Sequence, residues 1–150
     1  AKLVAQMRGP GRHHAVRGGG AWNDRGPLRV GDRDSGASVC ATGFRFKEPG
    51  QAARYLPVFE RALDSFEDLR RVGAASLDLA WVAEGVFDGF FELGLGPWDV
   101  AAGALLVTEA GGIVTDWSGD PRAWIESGDI LAGCHPTHAR LLAQAADRPG

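Results

Sequence analysis

Gly73 to Gly112 reads GAASLDLAWVAEGVFDGFFELGLGPWDVAAGALLVTEAGG. Its periodicity changes twice. Ala74 to Ala83 is mostly apolar and predicts a largely buried helix; Phe87 to Phe91 predicts a strand. Asp99 to Ala110 predicts a second helix, closed by Gly111 and Gly112 where a left-handed C-terminal cap is usual. Two isolated carboxylates, Glu92 and Asp99, stand beside tight glycine turns between these elements.

Outward from this stretch the same alternation continues. On the N-terminal side the pattern predicts a hairpin-like segment from Ala21 to Val30 and a short buried strand from Val39 to Phe44. A helix follows from Gln51 to Ser65, with Tyr55, Leu56, Phe59, Ala62, Leu63 and Phe66 at helical spacing, then a strand from Asp68 to Val72. On the C-terminal side come strands at Ile113 to Asp116 and Ile130 to Ala132, and a helix from Pro136 to Ala146 with proline near its first turn. Strands alternating with helices of this length predict a layered α/β fold. Residues 1 to 20 show neither period and are broken by glycine and proline. We expect an irregular arm over 1–17 and one domain over 18–150.

Composition narrows the function. Hydrophobic residues make up 45% and charged residues 23%, as in soluble globular proteins, while 22 glycines in 150 residues imply many turns. The formal net charge is −3, with seven Lys/Arg against two Asp in the first 33 positions and an acidic remainder. An acidic body argues against a nucleic-acid-binding domain. Cys40 and Cys134 form no metal or redox motif, which predicts a reducing, cytoplasmic compartment, and no apolar run approaches membrane-spanning length. The chain begins at Ala1 rather than Met, as a fragment would.

Each candidate residue has a chemical and a structural reading. Asp99 suits either a helix N-terminal cap or a ligand for a hard cation such as Mg²⁺. Glu92 would project from a strand end, where α/β sheets place ligands, or simply be solvated there. The amides of Gly73, Ala74 and Ala75 could accept an anion or hydroxyl oxygens, or form a plain turn. His135 and His138, His13 and His14, and Glu109 are read as structural. Trp81 and Trp98 are read as core or site wall, and Trp22, Trp117 and Trp124 as packing.

In combination these strings resemble a known family. Arg71-Val72-Gly73-Ala74-Ala75, Asp88-Gly89-Phe90-Phe91-Glu92, Trp98-Asp99-Val100-Ala101-Ala102-Gly103 and Glu109-Ala110-Gly111-Gly112 resemble the inositol monophosphatase family, whose C-terminal signature is the last pair of strings. The resemblance runs from about Gly18 to Leu142, includes Gly18-Gly19-Gly20-Ala21 and Ala41-Thr42-Gly43-Phe44, and is strongest to bacterial SuhB-type members. It implies the C-terminal α/β/α half of a layered αβαβα fold and Mg²⁺-dependent hydrolysis of a small phosphorylated polyol, inositol 1-phosphate first. By motif position it makes Asp99 a Mg²⁺ ligand near a substrate hydroxyl and the catalytic residue, Glu92 a partner of inositol hydroxyls, and Gly73 to Ala75 the substrate-contacting turn. It also implies a homodimer. SuhB-type relatives act in RNA polymerase antitermination complexes as well, so a non-catalytic binding module is the alternative. Sugar bisphosphates, histidinol phosphate and nucleotide bisphosphates are other substrates within the resemblance.

The departures set a limit. The family's D-P-[IL]-D-G-T string, which with the glutamates upstream of it supplies most metal ligands and the water-activating groups, is absent from these 150 residues. Ala74 stands where relatives often carry Ser or Thr. LVAQMRGPGRHHAV at residues 3 to 16 does not read as the family's apolar strand pair, so we expect a C-terminal fragment with a divergent beginning.

Overall fold

The structure, a computed structural model, describes residues 4–9, 11–44 and 46–147. Two sheets and two helical layers alternate. The first sheet is an antiparallel meander of β1 (Val4–Gly9), β2 (Gly11–Val16), β3 (Gly20–Asn23) and β4 (Gly26–Pro27), in that order. The second has the order β6-β5-β7-β9-β8, from β5 (Val39–Thr42), β6 (Asp68–Arg70), β7 (Gly89–Glu92), β8 (Ile113–Thr115) and β9 (Ile130–Gly133). Its β6, β5 and β7 run parallel, while β9 is antiparallel to β7 and β8.

Strand alternation divides the core in two. Ala41 of β5, Phe90 of β7 and Ile130 and Ala132 of β9 face α2 (Ala75–Ala83) and α3 (Pro97–Glu109), whose other side meets Ala15, Ala21 and Leu28 of the first sheet. Their strand neighbours Cys40, Phe91 and Leu131 face the opposite way, onto Tyr55, Val58 and Ala62 of α1 (Gln51–Ser65) and Leu141 of α5 (His135–Ala146). A period of two in the side chains puts a layer of helices on each face of the second sheet. Such burial contributes about 25 cal/mol per Å² of apolar surface, enough to make the sandwich rather than any single helix the stable unit. Among the described residues no helix is long and apolar enough to cross a membrane.

The irregular arm expected over 1–17 is corrected: within its described residues, β1 and β2 are paired strands with register Val4 to Val16 through Gly9 to Gly11. Residues 1–3 and 10 of that arm lie outside the described residues. Strand periodicity is faint because the inward positions of β2 are His13 and Ala15, a polar and a small residue, not large aliphatics. His13 is buried by bonding Glu84, the residue that ends α2. The β2–β3 turn is held by Glu109, which accepts from the Gly18 and Gly20 amides at 2.9 Å each. Gly18 and Gly20 both have positive φ, a conformation that disfavours other residues. A short α4 (Trp124–Ser127) was not expected, since one turn is too brief for a period to show.

The α2–α3 contact leaves no space at Gly103, where a Cβ would overlap the side chain of Leu79. Overpacking of a filled core costs about 1–3 kcal/mol, so Gly103→Val should lower the urea midpoint accordingly. An unchanged midpoint would show that the two helices can part without cost.

Candidate active site

β7 ends in Glu92, only 8% exposed, and β5 lies beside it in parallel register. The chain leaves β5 through Gly43, where a Cβ would overlap the Glu92 carboxylate. Glycine at 43 is therefore what lets this acid lie under the end of the sheet. No protein group among the described residues hydrogen-bonds that carboxylate. Burial pushes its pKa up to about 7; the Arg71 and Lys47 cations pull it down, and Asp99 pushes it up.

After Glu92 the chain turns through Leu93 to Gly96, with Gly94 at φ 70°, and enters α3 at Pro97. The expected start at Asp99 is thus corrected by two residues. Asp99 is the third residue of α3, and its Oδ2 accepts the Gly96 N–H at 3.0 Å. That bond satisfies one orphan donor at the positive end of the helix, a favourable place for a carboxylate. The capping contact engages only one oxygen: Oδ1 has no partner among the described residues, and the side chain is half-buried.

β6 delivers the third part. The chain leaves it at Arg70, turns at Gly73 with φ 91°, and begins α2 at Ala75 with Ala74 as the N-terminal cap. Gly73 and Ala74 therefore precede the helix rather than opening it. The exposed amides of Gly73 and Ala74, and that of Ala75 at the helix start, have no backbone acceptor among the described residues. The Arg71 guanidinium lies 5.0 Å from the centre of the Phe44 ring, and its charge reaches Glu92. One end of the second sheet thus gathers Gly43, Arg71, Glu92 and Asp99.

Asp78 joins this group and was missed in the sequence. It sits in the first turn of α2, 1% exposed, with neither carboxylate oxygen hydrogen-bonded. Burial, with Glu92 adding to it and Arg71 opposing, pushes its pKa up to about 7. A lone acid within the apolar run Ala75–Ala83 was the available signal, since a buried charge without a partner is costly.

The remaining candidates lie elsewhere. His138 is buried and its Nε2 is 2.8 Å from Thr115 Oγ1, whereas His135 is exposed. His14 stacks on Trp22. Trp98 is 83% exposed and belongs to no core, while Trp117 is buried and its Nε1 donates to the Ile130 carbonyl. Among the described residues no three His, Cys, Asp or Glu side chains are grouped to hold a metal. The oxygen chemistry of Asp99 suits a hard cation, but one carboxylate is only part of such a site.

The sequence pattern described as the inositol monophosphatase family matches residues 4–149. A protein described as putative Nus factor SuhB from Neisseria meningitidis serogroup B is 49% identical over 130 residues, covering 85% of this chain and 49% of that protein. Nus factor SuhB of Escherichia coli K12 is 45% identical over 134 residues, covering 89% of this chain and 50% of that protein. The chain thus spans about half the length of these curated relatives. Among solved structures, extragenic suppressor protein suhB from Bartonella henselae superimposes with a TM-score of 0.90 at 35% identity, covering 97% of this chain and 57% of that one. The inositol monophosphatase from Anabaena sp. PCC 7120 gives 0.82 at 35% identity, covering 93% of this chain and 55% of that one.

The acids make the site pH-sensitive. The raised pKa of Asp78 means that folding favours its protonated form, so its contribution to stability declines as pH rises from about 4 and levels off above about 7. Asp78→Asn should therefore stabilise the chain at pH 8 and change little at pH 4.5, read as the shift in urea midpoint. Equal shifts at both pH values would mean that Asp78 is not held as the acid.

Proposed function

The chain belongs to the inositol monophosphatase family, and from that premise we propose that it carries the substrate-facing part of a Mg²⁺-dependent phosphatase site, with inositol 1-phosphate as the leading substrate. The observation that carries this reading is the Glu92 carboxylate. It is buried at a strand end, has no hydrogen-bond donor among the described residues, and lies within charge range of Asp99 and Arg71. A polyol hydroxyl is the neutral donor that such an acceptor lacks, and its binding would replace the missing hydrogen bond.

In this reading Glu92 orients the polyol by accepting from ring hydroxyls. The amides of Gly73, Ala74 and Ala75 donate to its oxygens from the exposed turn before α2, and backbone donors there need no hydroxyl from residue 74. Asp99 offers its free oxygen to Mg²⁺ and to the nearby substrate hydroxyl, while Gly96 holds the other oxygen. Bound Mg²⁺ supplies activation of a water and stabilisation of the leaving oxygen. The remaining ligands would come from the family's D-P-[IL]-D-G-T string and the glutamates upstream of it, a string these 150 residues do not contain. A cytoplasmic homodimer acting on a small phosphorylated polyol completes the proposal.

A second reading has its own support. The relatives at 45–49% identity are described as Nus factors, so a binding module of a transcription complex is the alternative. Binding of this chain to RNA polymerase or RNA without Mg²⁺ would favour it, and no association at low salt would count against it.

This chain alone should release almost no phosphate from inositol 1-phosphate, and robust Mg²⁺-dependent turnover by it would contradict the division of the site. Joined to a family N-terminal half that carries the D-P-[IL]-D-G-T string and the glutamates upstream of it, it should turn over substrate. There Asp99→Asn should abolish turnover, and Glu92→Gln should raise KM by about tenfold, the loss of a hydrogen bond to a charged group. A panel including fructose 1,6-bisphosphate, histidinol phosphate and nucleotide bisphosphates tests the choice of substrate.

A further inference from the structure

Glu92 and Asp99 are joined by the turn Leu93 to Gly96, and that turn is held by residues outside the site. The Gly94 N–H donates to Asp129 Oδ1 at 3.0 Å, and the Leu95 N–H donates to the Gly128 carbonyl at 3.0 Å. Asp129 is 9% exposed, and its Oδ2 accepts from Arg54 Nη2 of α1 at 2.7 Å. Its own N–H donates to Ser127 Oγ at 3.2 Å. The fit is close on both sides: Gly128 has φ 71° and a Cβ there would overlap the Leu95 backbone, while a Cβ at Gly94 would overlap the Gln51 amide.

We infer that Asp129 is a positioning residue for the phosphatase site: by clamping the Gly94 amide it sets the path of the turn, and through it the placement of Asp99 relative to Glu92. This rests on the phosphatase reading for its catalytic consequence but not for its geometry. The Gly96 N–H donates to Asp99 itself, so any drift of the turn is passed directly to the carboxylate. Arg54 holds Asp129 Oδ2 from the α1 side and so leaves Oδ1 aimed at the turn. Small misplacements matter in such a site, because displacement of a catalytic group by about 1 Å costs up to roughly a hundredfold in rate.

The test is amide hydrogen exchange on this chain, followed by NMR at Gly94 and Gly96. In Asp129→Ala, exchange should accelerate about tenfold at both, including Gly96, which Asp129 does not touch. Asp129→Asn keeps an acceptor for Gly94 and should restore protection at both. Arg61→Ala is the control: it removes a bond from α1 to the Gln144 carbonyl but none to the turn, and should leave both unchanged. Should Asp129→Ala fail to fold, Asp129→Ser, too short to reach Gly94, tests the same contact. Acceleration confined to Gly94, or at neither residue, would overturn the inference. In the complete Mg²⁺-loaded enzyme, Asp129→Ala should lower kcat by roughly ten- to a hundredfold, with Asp129→Asn recovering most of it. If Gly96 responds but the complete wild-type enzyme has no turnover, the phosphatase reading fails while the positioning of Asp99 stands.

Discussion

A carboxylate buried at a strand end is expensive unless something donates to it, and the arrangement around Glu92 follows from that constraint. The parallel pairing of β5 and β7 brings residue 43 against the acid, and only glycine there leaves the carboxylate room. Arg71, brought in by β6 on the other side of β5, lowers the cost by its charge without forming a hydrogen bond. Asp99 raises the cost again. The result is two buried acids, Glu92 and Asp78, whose neutral forms are favoured by burial at one end of the second sheet.

The rest of the molecule can be read as support for that end. Two helices on each face bury the central sheet, so its strand ends are fixed within the packing of the core. The first sheet closes over the outer side of α2 and α3. Glu109 and Glu84, at the ends of those two helices, tie it down through the β2–β3 turn and through His13. Polar side chains at helix ends thus join the layers.

How well each part could be read before folding depended on the size of its period. α1 is found at the residues its amphipathic spacing predicts, Gln51–Ser65. β7, α2 and α3 differ from expectation by one to two residues at their ends, where caps and turns rather than periodicity set the boundary. β2 was missed because a strand whose inward residues are histidine and alanine carries almost no hydrophobic signal, and β1 was missed with it. Asp78 and Asp129 were passed over for a related reason. An acid in an apolar helix and an acid before a strand become conspicuous only when their burial and partners are known.

From residues alone follow the layered α/β class, the order of most elements and the family, because periodicity and short motifs are local properties of the chain. Which acids share an environment was decided by folding. Parallel strands are paired by crossovers, so Gly43, Arg71, Asp78, Glu92 and Asp99 meet from separate segments. Asp129 reaches the turn between Glu92 and Asp99 only through the pairing of β7 with β9. Burial and charge coupling depend on distances through space, and the spacing of residues along a chain does not contain them.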